Sequence, residues 1–226
     1  MIELTTLYKK LLDIYGPQNW WPADTPFEVL VGAILTQNTA WRNVEKAIQN
    51  LKKQGFLEPA TLVSLPLKAI EEAIKPSGFY KLKAKRLIEA SKAFIKLWPG
   101  NHLTVSELRK ELLKVHGIGP ETADSIILYA FEKPTFVIDA YTRRLFARLG
   151  YFESENIPYD VVKRFVESRI PKDLKIYKEF HALIVEHAKR FCRKSPMCYD
   201  CPLLECPKKD FTTGNTTLDQ PSKASS

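Results

Sequence analysis

Apolar residues recur at helical spacing along almost the whole chain, and proline or glycine separates most apolar runs. We find no convincing alternation of the kind that a half-buried strand shows, and no internal repeat. With 226 residues, 45% of them hydrophobic, the chain can bury a sizeable core in one large domain or two small interlocked ones. The sequence therefore predicts an all-α fold, with helices near residues 2–15, 27–38, 41–54, 67–75, 80–97, 104–115, 120–132, 140–149, 158–169 and 173–191.

The formal net charge of +8 suits a polyanionic partner such as nucleic acid, and it suits a generally basic soluble protein equally well. Part of the excess lies on one predicted helix, where Lys81, Lys83, Lys85 and Arg86 either bind phosphate or form a solvated face. No stretch approaches the ~20 apolar residues that span a bilayer. The amphipathic start, MIELTTLYKKLLDIYG, is typical of a helix rather than of a signal peptide. We expect no membrane partner and a cytoplasmic location, nucleoid-associated if the source is prokaryotic.

All four cysteines lie in one short segment, CRKSPMCYDCPLLEC. Disulfide frameworks usually join distant loops of small secreted chains. Four thiols crowded into one loop of a cytosolic chain instead favour a single metal centre. The candidate ligands are Cys192, Cys198, Cys201 and Cys206.

A turn bounded by glycines joins two predicted helices in the segment HGIGPETADS. Glycine permits positive φ and close approach to an outside group, and the unpaired N–H groups that open the second helix form an anion site. Gly117 and Gly119 are therefore candidate phosphate contacts, with Ile118 packed inward, although an ordinary helical hairpin closed by glycine would look the same. Asp139 follows the apolar run PTFVI, where an aspartate serves as a helix N-cap, as a functional carboxylate, or as both.

Hairpin and aspartate together, in LLKVHGIGPETADSIILYAFEKPTFVIDAYTRRLFARLG, resemble the signature of the endonuclease III superfamily of helix-hairpin-helix DNA glycosylases. The resemblance covers roughly residues 15–208, because VGAILTQNTAWRNVEKA is similar to the glutamine-bearing early helix of that family and IKPSGFYKLKAKRLIEASK to its GxYxxKAxxI region. It implies two helical subdomains flanking a DNA-binding groove. It also implies a monomer whose partner is double-stranded DNA containing a damaged base.

The resemblance further implies a division of the chain. Residues 20–135 would form a helical barrel subdomain that carries the hairpin. Residues 1–19 together with 136–208 would form a second helical subdomain with the cysteine loop, and residues 209–226 a polar tail.

Roles for single residues follow from the resemblance as well. The hairpin would grip a backbone phosphate while the damaged nucleotide is extruded. Asp139 would be the catalytic carboxylate, because breaking an N-glycosidic bond develops positive charge on the sugar. Gln37 and Phe79 would fill or wedge the base stack, the alternatives being a polar helix terminus for Gln37 and a core aromatic for Phe79.

Glu121 departs from the pattern of the bifunctional members, which carry a lysine nucleophile at this position of the hairpin. A carboxylate cannot form an imine with the sugar. We therefore expect a monofunctional enzyme that uses water and cuts the abasic strand poorly. Glu121 could alternatively hydrogen-bond in the pocket or merely decorate the helix.

Three tryptophans, Trp20, Trp21 and Trp41, flank the early helix in segments similar to those of 3-methyladenine DNA glycosylase III, a branch of the same superfamily. A cationic alkylated purine gains from stacking on aromatic faces, so we expect these residues to line the pocket unless they belong to the core. The preferred reading is a glycosylase for alkylated purines. Three others stay open: a uracil or thymine-mismatch glycosylase, an oxidised-pyrimidine glycosylase with lyase activity, and a non-catalytic DNA-binding protein.

The cysteine spacing, C-x5-C-x2-C-x4-C, falls where iron–sulfur members of the superfamily carry their ligands, with one residue fewer in each outer gap. That branch of 3-methyladenine glycosylases lacks these cysteines, so the chain combines features of two branches. The resemblance implies a structural [4Fe-4S] cluster held by four thiolates, with zinc as the alternative.

Overall fold

Every regular element of the described chain is helical. The computed structural model describes residues 1–207; residue 208 and the predicted tail 209–226 lie outside the described residues. Within residues 1–207 there are eleven α-helices, a single 3₁₀ turn and no strand, so the predicted all-α class is confirmed. The α-helices are α1 (Leu4–Tyr15), α2 (Pro26–Leu35), α3 (Trp41–Lys53), α4 (Pro59–Ser64), α5 (Leu67–Ala73), α6 (Tyr80–Leu97), α7 (Val105–Leu113), α8 (Pro120–Tyr129), α9 (Ala140–Arg148), α10 (Tyr159–Glu167) and α11 (Leu174–Arg190), and the 3₁₀ turn is Lys75–Ser77. None of the helices in this part of the chain has the length and apolar content needed to cross a membrane.

Local sequence signals set several helix ends. Thr104 caps α7 in a capping box, since its hydroxyl accepts the N–H of Glu107 while the Glu107 carboxylate accepts the N–H of Thr104. Pro120 begins α8, where a missing N–H breaks no intrahelical bond.

Some predicted bounds are wrong. The helix expected at 27–38 ends at Leu35, because the Thr36 hydroxyl donates to carbonyls of the last turn and Asn38 adopts a φ of 54°. The helix expected at 104–115 ends at Leu113. The short helix α4 was not predicted, since six residues are too few to display the helical period.

The core is built around α2, α8 and α11. Every residue of α2 from Phe27 to Leu35 is buried, and the one charged residue among them, Glu28, is paired with Lys52, so the rest of this helix is apolar on all sides. It packs against α3, α6 and α8, while α11 packs against α1, α8 and α9. The buried apolar side chains of these helices form one continuous cluster. The division at residues 19 and 135 stays a prediction.

A buried ion cluster joins the two parts of the chain that the sequence analysis separates. Asp124 on α8 is fully buried; Arg109 Nε on α7 lies 3.1 Å from its Oδ1 and Lys163 Nζ on α10 lies 3.3 Å from its Oδ2. Thr135 donates to the same carboxylate at 3.2 Å. Because a buried charge without partners is costly, this cluster fixes how α10 meets the α7–α8 hairpin.

Candidate active site

The turn between α7 and α8 needs glycine at one of its two glycine positions. Gly117 has a φ of +88°, and an added Cβ would lie 2.4 Å from Nε of Arg86, so a side chain here would strain the backbone and displace Arg86. Gly119 caps α8 with a φ of −92°, which any residue can adopt, so positive φ is not what calls for glycine there. Nothing lies within 4 Å of an added Cβ at Gly119, so its backbone is open to an approaching group. Ile118 is buried, as expected.

Asp139 is the N-cap of α9. Its Oδ1 accepts the N–H of Thr142 at 2.7 Å and the Thr142 hydroxyl at 2.8 Å. Its Oδ2 lies 3.5 Å from Nε2 of His181. Burial alone would raise the pKa of Asp139, but the nearby His181 and the hydrogen bonds from Thr142 outweigh it and hold the pKa below its ordinary value. These groups therefore keep the Asp139 carboxylate ionised, and the cap fixes its orientation.

His181 on α11 connects Asp139 to two aromatic residues. It is only 3% exposed, and its Nδ1 lies 2.7 Å from the hydroxyl of Tyr129. Its ring stacks on Trp20 with a centroid distance of 5.4 Å. Burial, and then the charge of Asp139, raises the pKa of Tyr129 well above its usual value. The tyrosine therefore stays protonated and fixes the orientation of the imidazole that faces Asp139.

A cavity of about 570 Å³ opens between these elements. It is large enough for a small aromatic ligand such as a nucleobase. Neither Gly119 nor Phe79 lines it, whereas Arg86, His181 and Lys189 do. The fold brings most of the predicted site residues to this one wall: Trp20, Trp21, Gln37, Trp41, Gly117, Glu121 and Asp139.

Trp21 contacts both Trp20 and Trp41, but the three rings differ in how much of their faces neighbouring groups cover. Trp20 stacks on Trp21 with centroids 5.4 Å apart, and its ring is also stacked on His181. Trp21 packs so closely on α2 that an added Cβ at Gly32 would lie 3.2 Å from its ring. Trp41 meets Trp21 edge to face at 5.6 Å and stacks on no other ring within residues 1–207. Trp41 is therefore the tryptophan best placed to offer a ring face to a ligand.

Glu121 stands in the first turn of α8 and projects into the cavity. The surrounding protein removes water from the carboxyl, and Asp139 adds negative charge beside it. These two effects, the first being larger, raise the pKa of Glu121 to about 7, although His181 and Arg143 act in the opposite direction. The cavity thus holds two carboxyl groups whose pKa values are pushed apart, an arrangement typical of sites with acid–base chemistry.

Gln37 lies in the turn after α2 and is tied to the hairpin. Its Nε2 donates to the carbonyl of Gly117 at 2.9 Å and to the hydroxyl of Thr122 at 3.1 Å, while Arg86 donates to its Oε1 at 2.6 Å. Phe79 precedes α6 and is 68% exposed, so the alternative of a core aromatic is wrong. A role in the base stack stays a prediction for both residues.

A second cavity, of about 220 Å³, is lined by all four cysteines together with Leu145, Phe191, Pro196 and Leu203. Arg148 Nη1 lies 3.3 Å from the Cys192 sulfur, and His187 Nε2 lies 3.8 Å from the Cys201 sulfur. Among the described residues, no three His, Cys, Asp or Glu side chains converge closely enough to hold one metal ion. Four thiols around one small cavity are a donor set that fits a metal centre, either an iron–sulfur cluster or a single ion.

Comparison with known proteins identifies the family. The family model named HhH-GPD superfamily base excision DNA repair protein matches residues 31–172. The chain belongs to the HhH-GPD superfamily. A candidate DNA repair glycosylase of Methanocaldococcus jannaschii is 52% identical over 206 residues, which cover 88% of this chain and 93% of that one.

Solved HhH-GPD structures agree. The 3-methyladenine DNA glycosylase of H. pylori, bound to 1,N6-ethenoadenine, is 32% identical with a TM-score of 0.73, covering 84% of this chain and 98% of that chain. A trapped endonuclease III–DNA covalent intermediate has a TM-score of 0.80, covering 94% of this chain and 100% of that chain at 23% identity, which shows the fold. The resemblance to this superfamily is confirmed, and the chain is a DNA repair glycosylase.

Sequence reasoning missed three residues of this HhH-GPD site on α11: His181, Val185 and Lys189. A histidine on an apolar helix is more often a core residue, and no local pattern links His181 to Asp139. Val185 and Lys189 follow His181 at helical spacing and line the same cavity. This periodicity could have identified the face of α11 only once the position of Asp139 in space was known.

Proposed function

We propose that this glycosylase is monofunctional and releases alkylated purines, such as 3-methyladenine, from double-stranded DNA. One observation carries the proposal: an ionised carboxylate, three tryptophans and a second carboxyl group line a single cavity of nucleobase size. The extruded base would enter this cavity. The hairpin at Gly117 and Gly119 would hold the backbone phosphate beside it.

Asp139 is proposed to be the catalytic carboxylate. The sugar becomes positively charged as the N-glycosidic bond breaks, and an anion held in a protein environment stabilises that charge more than bulk water does. Thr142 and His181 hold both oxygens of Asp139 in place and keep the group ionised. A water molecule that is deprotonated as it attacks the sugar would complete hydrolysis.

The absence of an amine at Glu121 supports the monofunctional assignment. Imine formation needs a neutral amine in contact with the sugar. Lys189 also lines the cavity, with its Nζ 5.8 Å from the centre of the Trp20 ring. It is therefore the amine that would act if strand cleavage were observed.

The aromatic wall supports the substrate class. A methylated purine carries positive charge and is already a good leaving group. Its release therefore depends on aromatic stacking of the base and on an anion beside the sugar more than on a strong general acid. The H. pylori relative is named for 3-methyladenine and was solved with a modified adenine, and it shares 32% of its residues with this chain. Trp41→Ala should weaken processing by roughly 1–3 kcal/mol, the scale of one lost base–aromatic stack. Trp98→Ala, a tryptophan outside the cavity, is the control.

We also propose that Cys192, Cys198, Cys201 and Cys206 hold a [4Fe-4S] cluster. A single zinc ion with bonds of about 2.3 Å draws its sulfurs tightly together, whereas a cubane cluster keeps its four thiolates apart around an apolar cavity. When bound, the cluster would order the loop between α11 and residue 207. Four irons per chain with broad visible absorption are expected, and one zinc in a colourless protein would contradict the assignment.

Base-release profiling tests the substrate. The assay compares release of 3-methyladenine, uracil, thymine opposite guanine and an oxidised pyrimidine from matched duplexes under one set of conditions. We expect release of the methylated purine alone or far ahead of the others. Release of a neutral pyrimidine, with the methylated purine left in place, would overturn the substrate class and leave the family and Asp139 intact.

A further inference from the structure

Lys83 is the most deeply buried cation of the described chain, and the catalytic proposal does not use it. Its residue exposure is 1%, so it neither binds phosphate nor belongs to a solvated face, the two roles that the sequence left open. The exposed Lys81 and Lys85 on the same helix keep both possibilities. A buried lysine that faces no carboxylate needs an explanation, because desolvating an ammonium group is costly.

All three protons of the Lys83 ammonium group have acceptors. Nζ donates to the carbonyl of Leu35 at 2.7 Å, to the hydroxyl of Thr39 at 2.7 Å and to the carbonyl of Ser77 at 2.8 Å. A lysine has three donors and no acceptor, so the site is fully satisfied. Burial, and then the nearby charge of Arg86, lowers the pKa of Lys83 to about 8, which reflects the cost of keeping the ion there.

The three acceptors belong to two separate turns, which carry the side chains predicted to enter the base stack. Leu35 and Thr39 bracket the turn that carries Gln37, and Ser77 precedes Phe79 by two residues. The Thr39 hydroxyl also donates to the Ser77 carbonyl, so the two turns are linked directly as well as through the ammonium group.

Both turns contain a residue in the left-handed region. Asn38 has a φ of 54° and Phe79 a φ of 47°. Non-glycine residues rarely adopt such angles, and a bulky aromatic least of all, so the surrounding contacts must hold them there. The Lys83 bonds lie next to both strained positions.

We propose that Lys83 is a positioning residue that fastens the Gln37 turn to the Phe79 turn, so that the two side chains enter the DNA stack as one unit. The inference rests on the proposed function and on the predicted insertion of Gln37 and Phe79 into the base stack. In this proposal, the buried ammonium group of Lys83 fixes the distance between Gln37, which lines the cavity, and Phe79, which does not.

The test compares Lys83→Met with Lys96→Met, a change of an exposed lysine in the last turn of the same helix. Both changes remove one positive charge from α6, but only the first removes contacts to the two turns. The probe is a duplex with a tetrahydrofuran abasic analogue, measured against the same duplex undamaged. Lys83→Met should lose about tenfold or more of the preference for the analogue, the scale of a lost buried hydrogen-bonded charge, while Lys96→Met keeps the wild-type preference.

A double-mutant cycle separates positioning from general destabilisation. Gln37→Ala and Phe79→Ala should be non-additive in the wild-type background and additive in Lys83→Met, because the two turns then move independently. An unchanged coupling, or an unchanged preference for the analogue in folded Lys83→Met, would overturn the role of Lys83. If Lys83→Met does not fold, Thr39→Val replaces it in the test, because this change removes one acceptor of Lys83 and the direct hydrogen bond from Thr39 to Ser77. An unchanged coupling or an unchanged preference for the analogue in Thr39→Val would likewise overturn the role of Lys83.

The outcome for the wild type distinguishes this inference from the proposed function. A wild-type protein that shows no preference for the abasic analogue would overturn both. A protein that prefers the analogue but releases a different base would overturn only the substrate class, and the role of Lys83 would stand on the same measurements.

Discussion

The replacement Asp139→Asn separates the two roles that the structure gives to one side chain. Oδ1 of Asp139 caps α9 through Thr142, whereas Oδ2 faces His181 and the cavity. Asparagine presents the same capping oxygen and is about as good an N-cap as aspartate. It removes only the negative charge.

Replacing Asp139 should therefore change folding stability and base release by very different amounts. Folding stability should change by well under ~1 kcal/mol for Asp139→Asn, but Asp139→Ala should lose about 1 kcal/mol because the cap is gone. Base release should fall at least about 100-fold in both variants, equivalent to ~2.7 kcal/mol of transition-state stabilisation.

A matched control exists on α11. Asp173 caps that helix in the same way, accepting the N–H of Ile176 at 2.9 Å, and it is exposed and outside the cavity. Asp173→Asn makes the same chemical change at a helix N-cap and should keep full activity. Single-turnover base release and thermal unfolding are measured for each variant. Near-normal turnover by Asp139→Asn would refute the catalytic role and leave the cap as the only function of Asp139.

Three further predictions follow from the same geometry. Release of a cationic alkylated purine should rise as the pH increases through about 7, because the raised pKa makes Glu121 neutral below that value and anionic above it. Glu121→Gln should remove this step from the pH profile. A step that persists in the variant would show that another group titrates. Borohydride should trap little protein–DNA adduct, since no amine replaces the motif lysine. Strong trapping that Lys189→Ala abolishes would identify Lys189 as the nucleophile and support a bifunctional enzyme. Asp124→Ala should destabilise the fold by roughly 1–3 kcal/mol in chemical denaturation, because Arg109 and Lys163 would lose the buried carboxylate that they share and keep only Asp160 and Glu167, respectively, as ionic partners. A loss well below ~1 kcal/mol would show that these remaining partners or water replace the carboxylate.

The sequence by itself determined every helix of residues 1–207 except α4, although some bounds were wrong, and it also determined the family and the main candidate site residues. Helical periodicity, Pro120 and the Thr104 capping box act over a few residues, so they can be recognised without knowing the fold. The hairpin glycines, Asp139 and Glu121 could be recognised in the same way, because their order and spacing along the chain form a motif. The substrate, the cluster and the subdomain boundary remain predictions.

Tertiary structure alone decided which side chains meet. The sequence held no sign that His181 faces Asp139, that Trp41 keeps a freer ring than Trp20, or that Lys83 is buried while Lys85 on the same helix is exposed. These facts depend on how α2, α6, α8 and α11 pack, and packing joins residues that are far apart along the chain. A pattern within one helix shows which residues share a face, but only the partner helix decides whether that face meets water, a neighbouring turn or the catalytic carboxylate.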